Sequence, residues 1–200
     1  MSKRSIMHMF TPRKHTSPFD INMAIDAGYD IAFPHQEVQL NEVADMTQDA
    51  IFSRGPAGVK KTGIFIGGRD IGIAMDMIDA AKKAMVPPFE VPVFADPSGA
   101  FTTAAALVAS VERELKNNFK QDLEGTKTIV FGGTGPVGLA TAVIAAEQGA
   151  DTTIVDHFSL DTALDYAAEA KRRYGVTLTA TAAASDADKA RLIADADVVF

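Results

Sequence analysis

The chain has no cysteine and no tryptophan. The lack of cysteine excludes a disulfide framework, a thiolate metal site and a cysteine nucleophile. No apolar run approaches the ~18–20 residues that span a bilayer. Lys3 and Arg4 precede a short apolar stretch that stops at Thr11 and Pro12, which is too brief and too polar-flanked for a secretory signal. Positive charge is also scarce: 19 Lys and Arg face 26 Asp and Glu, for a formal net charge of −7. The basic pairs Arg13-Lys14, Lys60-Lys61, Lys82-Lys83 and Arg172-Arg173 are scattered and read as solvated surface pairs. Nucleic-acid phosphates call for clustered cations, so no nucleic-acid partner and no membrane partner is expected. No G-x-S-x-G elbow occurs. The histidines His8, His15, His35 and His157 are not spaced from one another, or from an acid, as metal ligands are. What remains is ordinary globular composition, 47% apolar and 22% charged over 200 residues. A soluble cytoplasmic protein without a metal site is the expectation.

The two halves differ in texture. Residues 1–121 hold most of the nine prolines among mixed strand and helix signals. The pattern predicts a strand over 5–10, a helix over 19–27 stopped by Gly28, and a strand over 62–66 ending in Gly67-Gly68. A helix follows over 70–85, then a strand over 91–95, a turn at Asp96-Pro97-Ser98-Gly99, and a helix over 102–119. Residues 122–200 read as strand 127–132, helix 136–148, strand 152–156 and helix 160–174 stopped by Gly175. Strand 176–182, helix 186–195 and an apolar strand from Asp197 complete the series. Strand alternating with helix predicts an α/β fold with mostly parallel sheets. The expected organisation is an N-terminal α/β substrate domain over 1–121, followed by a Rossmann-type doubly wound sheet over 122–200. The second domain looks incomplete, because the sequence ends inside a strand.

The sharpest motif is Gly133-Thr134-Gly135-Pro136-Val137-Gly138, a G-x-G-x-x-G run between a strand and a helix. Gly133 is expected to make the tight turn out of the strand. Gly135 is expected to let the backbone approach a pyrophosphate, and Gly138 to let the helix pack on the strand. Pro136 suits the first helical position, and the helix N-terminus favours phosphate. Asp156 closes the next strand, where a carboxylate can bond both ribose hydroxyls of NAD and repel a 2′-phosphate, or be a chance acid. His157 beside it is either a surface residue or a phosphate contact. NAD is the expected cofactor, with NADP admissible. The cofactor would then carry the chemistry, leaving the protein to position two rings.

In the first half, Thr102 and Thr103 can hydrogen-bond a polar substrate or cap the helix. Phe19 can stack on a flat ring or staple its helix. Gly67-Gly68 can shape a cleft or only turn the chain.

Several segments together resemble the bacterial methylene-tetrahydromethanopterin dehydrogenases of methylotrophs. They are HMFTP at 8–12 with Lys14-His15, SPFDINMAIDAG at 17–28, TQDAIFSR at 47–54 and TGIFIGG at 62–68. VPPF at 86–89, FADP at 94–97 with Phe101-Thr102-Thr103, and the glycine loop complete the set. The resemblance covers nearly the whole chain. It implies NAD(P)-dependent oxidation of a methylene bridge on a reduced pterin to a methenyl group, by direct hydride transfer, in formaldehyde-oxidising one-carbon metabolism. It implies that Phe19 and Thr103 line the pterin cleft, and Asp20, Asp96 and Thr102 are the further expected substrate contacts. It also implies a lysine and a histidine beyond Phe200, and a homo-oligomer whose cleft lies near a subunit interface. Asp156 departs from the NADP-specific members and tilts the expectation towards NAD. A folate-linked methylene dehydrogenase and a non-catalytic nucleotide sensor are the alternatives.

Overall fold

The computed structural model describes residues 4–200. Lys3, part of the N-terminal stretch read above, lies outside the described residues. The chain divides into two compact units, one up to Ser98 and one over Gly99–Phe200.

The first unit carries strands β1 (Ile6–Phe10), β2 (Ile31–His35), β3 (Thr62–Ile66) and β4 (Val93–Ala95). Helices α1 (Pro18–Asp26), α2 (Val43–Phe52), α3 (Gly55–Val59) and α4 (Ile71–Ala84) join them. All pairings are parallel, in the order β2-β1-β3-β4. The chain leaves β1 for one neighbour and returns to the other, so a crevice opens beyond the carboxyl ends of β1 and β3. Met9, Phe10, Ile64 and Ile66 of the sheet are buried, as are Val43 and Ile51 of α2 and Met77 and Ile78 of α4, and α2 and α4 pack on each other and on β3. Full burial of each such side chain contributes roughly 1.5–3 kcal/mol. Asp70 starts α4 by accepting the Ile73 N–H at 2.9 Å, an N-cap rather than the first helical residue. β2, α2 and α3 fall in a stretch for which the pattern predicts no element. In β2, Pro34 interrupts the strand signal, and the strand sits at the sheet edge, where a missing N–H is tolerated.

The second unit begins with helix α5 (Ala100–Glu114), which runs into a wider turn over Leu115–Phe119. Strands β5 (Lys127–Phe131), β6 (Asp151–Asp156), β7 (Thr179–Ala182) and β8 (Val198–Val199) follow. They alternate with α6 (Pro136–Glu147), α7 (Leu160–Tyr174) and α8 (Asp186–Ala194). The sheet is again all parallel, in the order β7-β6-β5-β8. Its faces are covered separately, as a doubly wound sheet requires. Ile129 and Val155 pack with Leu192 of α8, while Val198, Ala145 and Val108 form the core with Leu115 and Leu123. That second cluster ties α5 to α6. This is why the compact unit starts at Gly99, ahead of the boundary expected after residue 121.

Helix α6 is buried on nearly every side: Leu139, Ala140, Thr141, Ala142, Val143 and Ala145 all lie inside. Small residues let α5 and the sheet approach it from opposite directions.

Candidate functional site

The glycine loop sits at the carboxyl end of β5, where the strand order reverses. The left-handed residue that turns the chain is Gly132, with φ 63°, one residue before the position expected. Gly135 N–H then donates to Gly132 O at 2.9 Å and closes the turn. Gly133 is required for a different reason: a Cβ there would lie 2.6 Å from Ile154 Cβ on β6. At Gly138 a Cβ would fall 2.2 Å from Gly132 O, so only glycine lets α6 start this close to the turn. Gly135 is the α6 N-cap in extended conformation, with Pro136 following it. The first-turn N–H groups of Val137 and Gly138 have no intrahelical acceptor, and the helix dipole makes that end positive.

Two cavities flank this turn, and Phe131 and Gly132 line both. One, of 320 Å³, lies towards β8 and is lined also by Leu107, Gly135, Val137, Thr141 and Phe200. The buried Thr141 hydroxyl beside it has no hydrogen-bond partner among the described residues. The other, of 290 Å³, lies towards β6 and β7 and is lined also by Val155, His157, Ala183 and Lys189. A two-headed ligand whose linker is anionic fits this arrangement: each head takes one cavity and the linker takes the α6 N-terminus.

Asp156 ends β6, but its carboxylate is already engaged. Oδ2 accepts the Thr134 hydroxyl at 2.6 Å, and Oδ1 accepts the N–H groups of Phe158 and Ser159, each at 2.8 Å. These bonds, the Thr134 hydroxyl first, hold the Asp156 carboxyl below its usual range. A carboxylate offers about four acceptor positions, so Asp156 has room for about one further donor, not both hydroxyls of a ribose. His157 is exposed, with its ring edge-on to Phe158 at 4.4 Å. Lys189, three residues into a short helix, had no signal in the sequence that would set it beside this loop.

In the first unit, Asp20 and Asp96 come together at the carboxyl edge of the sheet. The Asp20 carboxyl is raised above its usual range, by burial first and then by the Asp96 charge. Asp96 is buried and follows β4, its N–H bonded to Ile66 O at 3.2 Å. Gly67 gives them space, since a Cβ on it would lie 3.1 Å from Asp20 Oδ2. Ser98 pins the adjoining turn by donating to Gly68 O at 2.9 Å. Phe19, on the first turn of α1, is 65% exposed, so its ring is not spent on the core. Thr102 and Thr103 lie on the first turn of α5 in the second unit; the cap position of that helix is Gly99, with no side-chain cap.

His8 and His35 also meet, with Nδ1 and Nε2 3.1 Å apart. They are distant in sequence, and the parallel pairing of β1 with β2 brings them together. Burial lowers the basicity of both; in His8 the His35 and Arg54 charges add to it.

Two parallel α/β units, the second with a glycine turn at its switch point and a cavity on either side, define a dinucleotide-binding protein of the Rossmann type. Two solved structures share the fold. Ornithine carbamoyltransferase from Pyrococcus furiosus matches with TM-score 0.51 and 18% identity over 99% of this chain and 59% of that one. Ligand-free 5-ketofructose reductase of Gluconobacter sp. strain CHM43 gives TM-score 0.53 and 16% identity over 90% and 63%. Residues 18–98 match the family model described as methylene-tetrahydromethanopterin dehydrogenase, N-terminal. The NAD(P)-dependent methylenetetrahydromethanopterin dehydrogenase of Methylorubrum extorquens strain AM1 is 49% identical over 98% of this chain and 66% of its own length. The bifunctional protein MdtA of the same organism is 33% identical over 100% and 67%. The chain belongs to the methylene-tetrahydromethanopterin dehydrogenase family, and it spans about two thirds of the length of these relatives.

Proposed function

We propose that the protein is an NAD(P)-dependent dehydrogenase that oxidises the methylene bridge of methylene-tetrahydromethanopterin to the methenyl form. The single observation that carries this is the turn with two flanking cavities in a chain 49% identical to an NAD(P)-dependent methylenetetrahydromethanopterin dehydrogenase. The turn fits a dinucleotide: Gly135 and the N–H groups of Val137 and Gly138 would hold its pyrophosphate, with Thr134, Pro136 and Asp156 fixing the shape of that cradle. When bound, the nicotinamide supplies a hydride acceptor.

The methylene carbon gives up one C–H bond with its electron pair. The cation left behind is shared by the two flanking nitrogens, so no side chain has to remove a proton. The protein's work is binding, orientation and exclusion of water. Phe19 offers a ring face to the flat heterocycle, an aromatic contact worth about 0.5–1.5 kcal/mol beyond its burial. Asp20 and Asp96 accept hydrogen bonds from its N–H groups. Thr102 and Thr103 bond the polar atoms near the transferring carbon, where a misplacement of about 1 Å can cost roughly 100-fold in rate. The role is one-carbon metabolism in the cytoplasm of a methylotroph, in a homo-oligomer. No helix among the described residues is long and apolar enough to cross a membrane.

The test is cofactor reduction, followed by the absorbance of the reduced nicotinamide, with the methylene adducts of tetrahydromethanopterin and of tetrahydrofolate as separate substrates. Turnover with the methanopterin adduct at the higher kcat/KM is expected. A preference for the folate adduct would move the assignment to that carrier. Cofactor binding without turnover on either would make the protein a sensor.

A further inference from the structure

The cavity between β5, β6 and β7 carries positive charge that the proposed function leaves unused. We propose that Lys189 is a specificity-determining residue, which with His157 receives the 2′-phosphate of NADP, so that this chain binds the phosphorylated cofactor more tightly than NAD. The inference rests on the dinucleotide reading of the glycine turn.

Three observations lead to it. Lys189 and His157 both line the 290 Å³ cavity, together with Gly132 at the turn and Val155 and Ala183 at the strand ends. Asp156, the acid that would repel a 2′-phosphate, is not among the lining residues. Its oxygens are drawn to Thr134 and to the backbone of Phe158 and Ser159. These donors hold the carboxylate in place outside the cavity lining and keep it ionised, so the cations on the cavity have to outweigh its charge. Lys189 itself is lightly held. Its ammonium pairs with Asp186 at 3.3 Å, but that carboxylate is fully exposed, while the lysine side chain is only 30% exposed. A solvated partner of this kind contributes little, so the ammonium is available to a phosphate. The His157 ring adds a hydrogen-bond donor on the same cavity. The apolar remainder, Phe131, Val155 and Ala183, suits the flat adenine that the phosphate-bearing ribose carries.

The experiment uses two fragments that differ in the 2′-phosphate, adenosine 2′,5′-bisphosphate and adenosine 5′-monophosphate, titrated calorimetrically into the whole protein at low salt. With Lys189 in place, the bisphosphate is expected to bind about tenfold more tightly, the scale of one close charge pair. Lys189→Gln should remove most of that ratio and Lys189→Arg should keep it, with unchanged circular dichroism in both. Equal affinity for the two fragments in the wild type, or a ratio that survives Lys189→Gln, would overturn the assignment of Lys189 and leave the dinucleotide site standing. Binding of neither fragment, and of neither NAD nor NADP, would overturn both.

Discussion

Gly135 and Gly138 lie three residues apart in one motif, yet they answer to different constraints. A Cβ at Gly138 would meet Gly132 O at 2.2 Å, a backbone atom that cannot step aside. At Gly135 the same atom would be 3.2 Å away, which a shift of a few tenths of an ångström relieves. Gly138→Ala is therefore expected to cost about 1–3 kcal/mol of stability, the usual range for overpacking, and to lower the urea midpoint at constant slope. Gly135→Val should leave the midpoint nearly unchanged and abolish NAD binding in calorimetry, because its branched side chain points at the pyrophosphate position. A Gly135→Val protein that still binds NAD would remove the loop from the cofactor site.

Among the elements, the ones that position the second site are marked in the sequence itself. The pattern over 160–174 matches the observed limits Leu160–Tyr174, because Gly175 marks the end and the apolar residues keep helical spacing. The elements that escaped lie between residues 31 and 59. There Pro34 breaks the strand signal, and β2 earns its place by pairing with β1 rather than by its own pattern. The His8–His35 pair was hidden for the same reason, since only strand register joins the two rings. It predicts a pH effect with a definite sign. Both imidazoles lose basicity on folding, so the unfolded chain binds the extra protons, and stability falls as pH drops below the unfolded value of about 6.5. Both rings are partly solvated, which damps the loss. Urea midpoints at pH 7.5 and 5.5 should show the decline, and His8→Gln should flatten it. An equal slope in that variant would mean that other groups carry the acid sensitivity.

Across the whole molecule, the same parallel architecture occurs twice, each time with its carboxyl edge given over to polar or glycine-rich turns. Sequence pattern could announce this scheme, since glycine, proline and apolar spacing mark the strand ends. It could not announce what the ends hold. Asp156 reads as a free acid from its position, and only side-chain geometry reveals that Thr134, Phe158 and Ser159 occupy most of it. Lys189 lies on a short helix of alternating charge, and nothing local distinguishes it from Lys171 or Arg191.

Helix α6 has a consequence for hydrogen exchange. From Leu139 to Ala145 every residue except the half-buried Ile144 is buried, with α5 packed on the helix, so little wet surface is left along which a local opening could begin. Local fluctuations expose amides only where packing is thin. Deuterium should therefore enter this helix only when the whole second unit opens, so that its slowest amides report the unit's full unfolding free energy. Saturating NAD should slow them by the factor that ligand linkage gives, about 100-fold at 100 times the dissociation constant. The glycine turn would then be tethered to the last part of its unit to exchange. Faster exchange in α6 than in α7, measured by mass spectrometry of the intact protein's peptides, would contradict this order.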